Sequence, residues 1–178
     1  MNQKVLYIAH AAIIAALYVV LTEAAAALGL ASSAIQIRFS EALTILPVFT
    51  PAAIPGLFVG CILANLLTGC VPLDVLFGSI ATLLGACGTY SLTHLKKTDN
   101  TSLSLLKPWQ KWLAPLPPIM ANTLIVPFVL AYVYQIEGTI PYFMLTVGIG
   151  EIISCGVLGL LLLQVLSHYR RHLFPINI

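Results

Sequence analysis

Apolar residues in this chain neither alternate nor form stripes; they run. Runs over residues 5–28, 51–69, 73–92, 114–135 and 142–166 each approach the roughly 20 residues a helix needs to cross a hydrocarbon core of about 30 Å. A sixth run, 36–49, is shorter. At 1.5 Å per residue it covers only about 21 Å, so its length alone permits a re-entrant segment. Flanking charges decide. If this run spans, Lys4, Lys96 with Lys97, Lys107 with Lys111, and Arg170 with Arg171 all fall on one side, as the positive-inside rule requires. If it does not, Lys4 opposes the others. The expected architecture is an all-α integral membrane protein, a compact bundle of about six transmembrane helices with both termini in the cytoplasm. Gly29, Ser32 and Ser33 separate the first two runs, and Pro47, Pro51 and Pro55 bracket a cytoplasmic turn. Residues 69–72 and 137–141 make external turns. In the cytoplasmic segment 93–112, Trp109 and Trp112 alternate with Lys107 and Lys111, a headgroup anchor.

Composition agrees with the pattern. Only 8% of the 178 residues are charged and 60% are hydrophobic, against about a quarter charged in soluble domains. The chain reads as one multi-pass domain, 1–178, in the cell membrane. Residues 1–27 imitate a secretory signal, yet the apolar stretch outlasts a signal core, so a true first span is expected. The net charge of +2 sits in short flanks, which gives no footprint for nucleic acid. Cys61, Cys70, Cys87 and Cys155 form no CxxC pair and read as small buried side chains. His168 and His172 have i, i+4 spacing but no third ligand, so no metal site is expected. There is no HExxH, GxSxG or phosphate-binding glycine loop. The chain is therefore expected not to be an enzyme, nor to energise anything itself.

The few acids carry the chemistry. Counted inward from the external boundaries, Glu23, Glu41 and Asn65 lie about 8 Å deep and Glu151 about 12 Å deep, with Asp74 at the mouth. A carboxylate at the bilayer centre costs roughly 2.5 to 3.5 kcal/mol on insertion scales, so these groups are expected to face inward and find partners. Arg38 is the basic residue near that layer. If the run is helical, it shares a face with Glu41 at i, i+3, either as a local ion pair or to orient Glu41 toward a ligand. Glu151 sits among Gly148, Gly150, Ser154 and Gly156, where a ligand or another helix can approach the backbone. Asn122, about 20 Å down, reads as inter-helix glue. Ala11, Ala12, Ala15 and Ala16 form small-xxx-small pairs, which by spacing alone suit internal packing.

The runs IQIRFSEALTILPVFTPAAIPGLFVGCILANLL and DVLFGSIATLLGA resemble the QueT family of queuosine-precursor transporters, substrate-binding S components of energy-coupling factor transporters. The resemblance covers nearly the whole chain. It implies a six-helix S component that captures a 7-deazaguanine compound from outside. A transmembrane T component and two cytoplasmic ATPases would be its partners, with ATP used there and no cofactor in this chain. It also implies that the AxxxA pattern of Ala11, Ala12, Ala15 and Ala16 packs on the T component. One carboxylate, Glu151 or Glu41, would accept the ring N1–H and exocyclic amine together. Asp74 or Glu23 would pair with a cationic substituent, and Asn65 would donate to the ring carbonyl. Phe39, Phe77, Tyr142 or Phe143 would stack on the ring, and the loops 32–36 and 137–142 would close over it. Two rival readings use the same acids: an autonomous proton- or ion-coupled carrier with a relay through Glu23, Glu41 and Glu151, and an intramembrane acid–base enzyme.

Overall fold

A computed structural model describes residues 2–30, 35–94 and 108–173, the side chains of Pro108 and of residues 170–173 excepted. Its regular elements are all helical: α1 (Gln3–Ala27), α2 (Ala53–Leu67), α3 (Pro72–His94), α4 (Pro108–Leu113), α5 (Leu116–Tyr132), α6 (Ile140–Glu151) and α7 (Gly159–Leu173). A 3₁₀ segment (Phe39–Val48) joins α1 to α2, and a π segment (Ile152–Leu158) joins α6 to α7. Four rods are long and apolar enough to cross a membrane: α1, α3, Trp109–Tyr132 and Ile140–Tyr169. The 3₁₀ segment and α2 are shorter apolar helices, which completes the expected six. Ser32, Ser33, Lys96, Lys97 and Lys107 lie outside the described residues, as do the side chains of Arg170, Arg171 and His172.

The run whose length was ambiguous is the centre of the molecule. Every residue from Ser40 to Val48 is buried, and α1, α3, α7 and the π segment pack around it. It is not the α-helix its sequence suggests. Pro47 has no N–H to close an α turn, the Thr44 hydroxyl donates back to the Glu41 carbonyl at 2.6 Å, and Phe49 N–H closes onto Leu46 O at 2.8 Å. A 3₁₀ helix rises about 2.0 Å per residue, so ten residues reach about 20 Å where an α-helix would reach about 15 Å.

Small residues set the helix spacing, because in lipid the gain comes from close backbone approach rather than from hydrophobic burial. A Cβ on Gly56 would stand 2.7 Å from the Ala11 carbonyl oxygen, and one on Gly60 would stand 3.0 Å from Ala15 Cα. Thus Ala11 and Ala15 key α1 onto α2. Likewise a Cβ on Gly85 would meet Pro118 Cα at 2.6 Å, and one on Gly88 would meet Pro117 Cβ at 2.6 Å. Gly85→Leu is therefore expected to destabilise the bundle by about 1 to 3 kcal/mol through overpacking, read as a lower thermal midpoint in detergent. Leu84→Ala, on the exposed face of the same helix, should leave the midpoint unchanged.

Two helix ends need a left-handed residue. Gly29 (φ 71°) and Gly69 (φ 74°) supply it, and Leu30 N–H to Ala25 O and Cys70 N–H to Asn65 O complete Schellman closures. The apolar core, with Ile14, Leu43, Leu46, Val48, Phe49, Leu57 and Leu163, fills the bundle on the Phe49 side of the 3₁₀ segment. The Arg38 side is hollow.

Candidate functional site

Two connected spaces occupy that hollow end. The wide chamber, about 330 Å³, is walled by Thr22 and Ala26 of α1, Asn65 and Thr68 at the end of α2, Cys70, Asp74 of α3, Val126 and Leu130 of α5, and Tyr134 and Ile136 beyond it. A narrow recess of about 30 Å³ continues inward to Glu41, Gly78, Thr82, Asn122, Val147 and Glu151. Gln36, Arg38, Asp74 and Val126 line both. The recess has room for little more than water-sized groups. A ring fits only in the chamber, with the polar atoms of one edge reaching down.

Glu41 and Glu151 face each other at the bottom, 2% and 9% exposed. Asn122 bridges them: its Nδ2 donates to Glu151 Oε1 at 3.0 Å and to Glu41 Oε2 at 3.4 Å. Tyr18 O–H donates to Glu41 Oε1, and the Cys155 thiol donates to Glu151 Oε2 at 3.1 Å. Each carboxylate offers about four lone-pair sites, so both keep acceptor capacity toward the recess. The π segment starts right after Glu151, and its widened turn carries Ser154 and Cys155 to the 3₁₀ segment: Cys155 Sγ lies 3.4 Å from the Glu41 carbonyl oxygen. Single π turns recur at functional sites. One ligand atom each from Glu41, Glu151 and Cys155 lies within 4.8 Å of the others, a spacing that a metal ion bridges. Here the same atoms already accept or donate hydrogen bonds, and the Arg38 guanidinium lines the recess, which disfavours a second cation.

Arg38 is not on a helix. It precedes the 3₁₀ segment in extended conformation (φ −112°, ψ 111°), so the i, i+3 pairing with Glu41 expected from a helical face does not form. Its backbone N–H donates to Ser154 Oγ at 3.2 Å, and Ile37 N–H donates to Leu30 O at 3.1 Å. The strand-like stretch crosses α6 at Gly150, where any Cβ would run into the Gln36 carbonyl oxygen. Among the described residues no hydrogen bond or close ion pair holds the guanidinium, although the charges of Glu41 and Asp74 act on it from a greater distance.

At the chamber's junction with the recess, Tyr134 O–H donates to Asp74 Oδ2 at 2.8 Å and accepts the Val71 N–H at 3.3 Å. Partial burial and the Asp74 carboxylate push the Tyr134 hydroxyl above the usual tyrosine pKa, so it stays a donor. Tyr134 thereby ties the end of α5 to the turn before α3. Asp74 Oδ1 has no protein hydrogen bond among the described residues.

The sequence-derived candidates separate accordingly. Glu41, Glu151, Asn65, Asp74 and Arg38 line the cavity. Glu23 does not: it is exposed on α1, one residue past Thr22, which faces the chamber. The inward orientation expected for Glu23 is thus corrected. Phe77 and Tyr142 are 42% and 49% exposed and line neither space. Phe143 is buried against Gly138, and Phe39 lines neither space. Asn122, read as too deep, joins the two glutamates while also bonding helices together. Cys155, read as an inert apolar filler, is a donor to Glu151. Tyr18 and Tyr134 were missed, and Gln36, expected only as part of a loop closing over the ligand, lines both spaces. For Tyr18 a signal existed: Ile14, Tyr18, Thr22 and Ala25 repeat at helical spacing and are all buried, with two polar members on that stripe. The four alanines split as well. Ala15 is buried and Ala11 partly so against α2, whereas Ala12 and Ala16 are exposed.

Neither the curated proteins nor the solved structures contain a match to this chain. A family model does match: that of the QueT transporter, over residues 8–168. With that match spanning nearly all of a multi-pass helical bundle, the chain belongs to the QueT transporter family, and its role is in membrane transport.

Proposed function

We propose that this chain is a substrate-binding S component that captures a queuosine precursor of the 7-deazaguanine class for import, driven by ATP hydrolysis on partner subunits. One observation carries the reading: two carboxylates with spare acceptor capacity and an unpaired guanidinium meet in a recess below a ring-sized chamber. A 7-deazaguanine edge presents two adjacent N–H donors beside a carbonyl, which is the complementary pattern. The chamber volume, about 330 Å³, sits at the small end of the roughly 300–1,000 Å³ of ligand cavities, which suits a free base better than a nucleoside. Of the two acids considered for a cationic aminomethyl group, Asp74 lines the chamber and Glu23 does not, so the ammonium is assigned to Asp74. A transmembrane T component would pack on the exposed side of α1 at Ala12 and Ala16, and two cytoplasmic ATPases would supply the energy.

Calorimetric titration of the purified protein with a panel of 7-deazaguanines tests the capture step. Stoichiometric binding of unmodified ligand is expected, and chemical conversion of the ligand or absence of binding overturns the reading. Asp74→Asn should weaken 7-aminomethyl-7-deazaguanine about tenfold, leaving the 7-cyano compound within about twofold. Equal losses for both would remove Asp74 from the substituent's contacts.

A further inference from the structure

We infer that Arg38 selects the ring by its carbonyl: the guanidinium donates to the oxygen at C6 of a guanine-type ring and so excludes rings with an amine at that position. The inference rests on the reading of the cavity as a 7-deazaguanine site.

Three observations carry it. Arg38 is a cation within an apolar bundle, where such a group ordinarily pairs, yet no protein acceptor holds it among the described residues. The nearby acids hydrogen-bond other groups, Glu41 to Tyr18 and Asn122 and Asp74 to Tyr134, and attract the guanidinium only from beyond ion-pair distance. Secondly, its backbone is fixed, by the bond to Ser154 and by the passage of Gln36 over Gly150, so its presence at the cavity wall is built in. Thirdly, it lines both spaces together with Asp74, and in the recess it shares walls with Glu41 and Glu151. An obligate donor therefore stands beside acceptors. That order matches a guanine edge, with its carbonyl oxygen next to N–H groups. A 6-amino ring would point N–H at N–H, because arginine has no acceptor to offer. Asn65, the residue first considered for the carbonyl, donates to Cys61 Sγ at 3.5 Å and lines only the outer chamber.

Sites built to hydrogen-bond a buried polar group reject analogues that lack it by large factors. The test compares 7-aminomethyl-7-deazaguanine with two counterparts, one carrying an amine and one a hydrogen in place of the carbonyl. The protein should bind the oxo ring at least about a hundredfold more tightly than either. Both counterparts also lack the ring N1–H that a glutamate accepts, so Arg38→Gln should lose most of the affinity for the oxo ring, change that for the hydrogen analogue by less than about threefold, and cut the preference at least about tenfold while leaving the part owed to N1–H; Arg38→Lys should retain more of it. If Arg38→Gln weakens all three ligands equally, the residue merely balances the charge of the acids and the inference fails. Should the variant not fold, the unaltered protein still decides: comparable affinity for the oxo ring and the hydrogen analogue overturns the proposal. Failure of the unaltered protein to bind any of the three sinks the underlying functional reading instead.

Discussion

Glu151→Gln should weaken binding of 7-aminomethyl-7-deazaguanine at least tenfold, about 1.4 kcal/mol, in a protein that stays folded. The side chain keeps its shape but exchanges an acceptor-only group for one with an amide N–H₂. Asn122 Nδ2, now 3.0 Å from one carboxylate oxygen, and the Cys155 thiol, 3.1 Å from the other, both need acceptors, so the new amide must turn a donor toward one of them. The ligand loses an acceptor for its paired N–H groups as well. Glu41→Gln makes the useful comparison, because Glu41 is also held by Tyr18. Its replacement should lower the thermal midpoint by more than Glu151→Gln does. An unchanged affinity in folded Glu151→Gln would remove that residue from the ligand's contacts.

Enlarging the alanines of α1 should have opposite consequences on its two faces. Ala15→Leu drives a branched side chain into Gly60, whose backbone lies at packing distance, and is expected to cost about 1 to 3 kcal/mol of bundle stability. Ala12→Leu combined with Ala16→Leu adds volume where α1 is exposed. This variant should fold, bind the ligand within about twofold of the unaltered protein, and yet lose at least tenfold in ATP-dependent uptake when the partner subunits are present. Co-purification with the proposed T component separates the two effects directly. Uptake at full rate by the double variant would take the partner off this face, and uptake without any ATPase would favour the ion-coupled carrier instead.

The acids illustrate why part of the site was legible and part was not. Glu41, Glu151 and Asp74 announced themselves because charge in an apolar run is costly and so must be housed. The same logic misplaced Glu23. In a soluble helix a polar outer face would have fixed its rotation, but the lipid face of α1 is mostly apolar, so only Tyr18 and Thr22 on the buried stripe mark its direction. Thr22 faces the chamber and Glu23 does not, a difference of one residue, about 100° of helix. Aromatic placement failed for the same reason: Phe77 and Tyr142 share depth with the cavity but face away from it.

What the amino-acid sequence determined by itself was set by the solvent. Length and polarity against a hydrocarbon core dictate helices, their approximate limits and their number, and the QueT-like runs name the family. What only the tertiary structure decided was set by backbone geometry and donor supply. Gly150 lets the extended backbone pass at Gln36, and the 3₁₀ segment that starts after Arg38 buries Glu41 beside it. Asn122, Tyr18 and Cys155 divide the glutamate oxygens among themselves, and no carboxylate comes within ion-pair distance of Arg38. Apart from the Cys155–Glu151 bond, four residues apart on one helical run, this allocation depends on which groups meet across 23 to 81 positions of chain, and residue order along a single helix does not encode it.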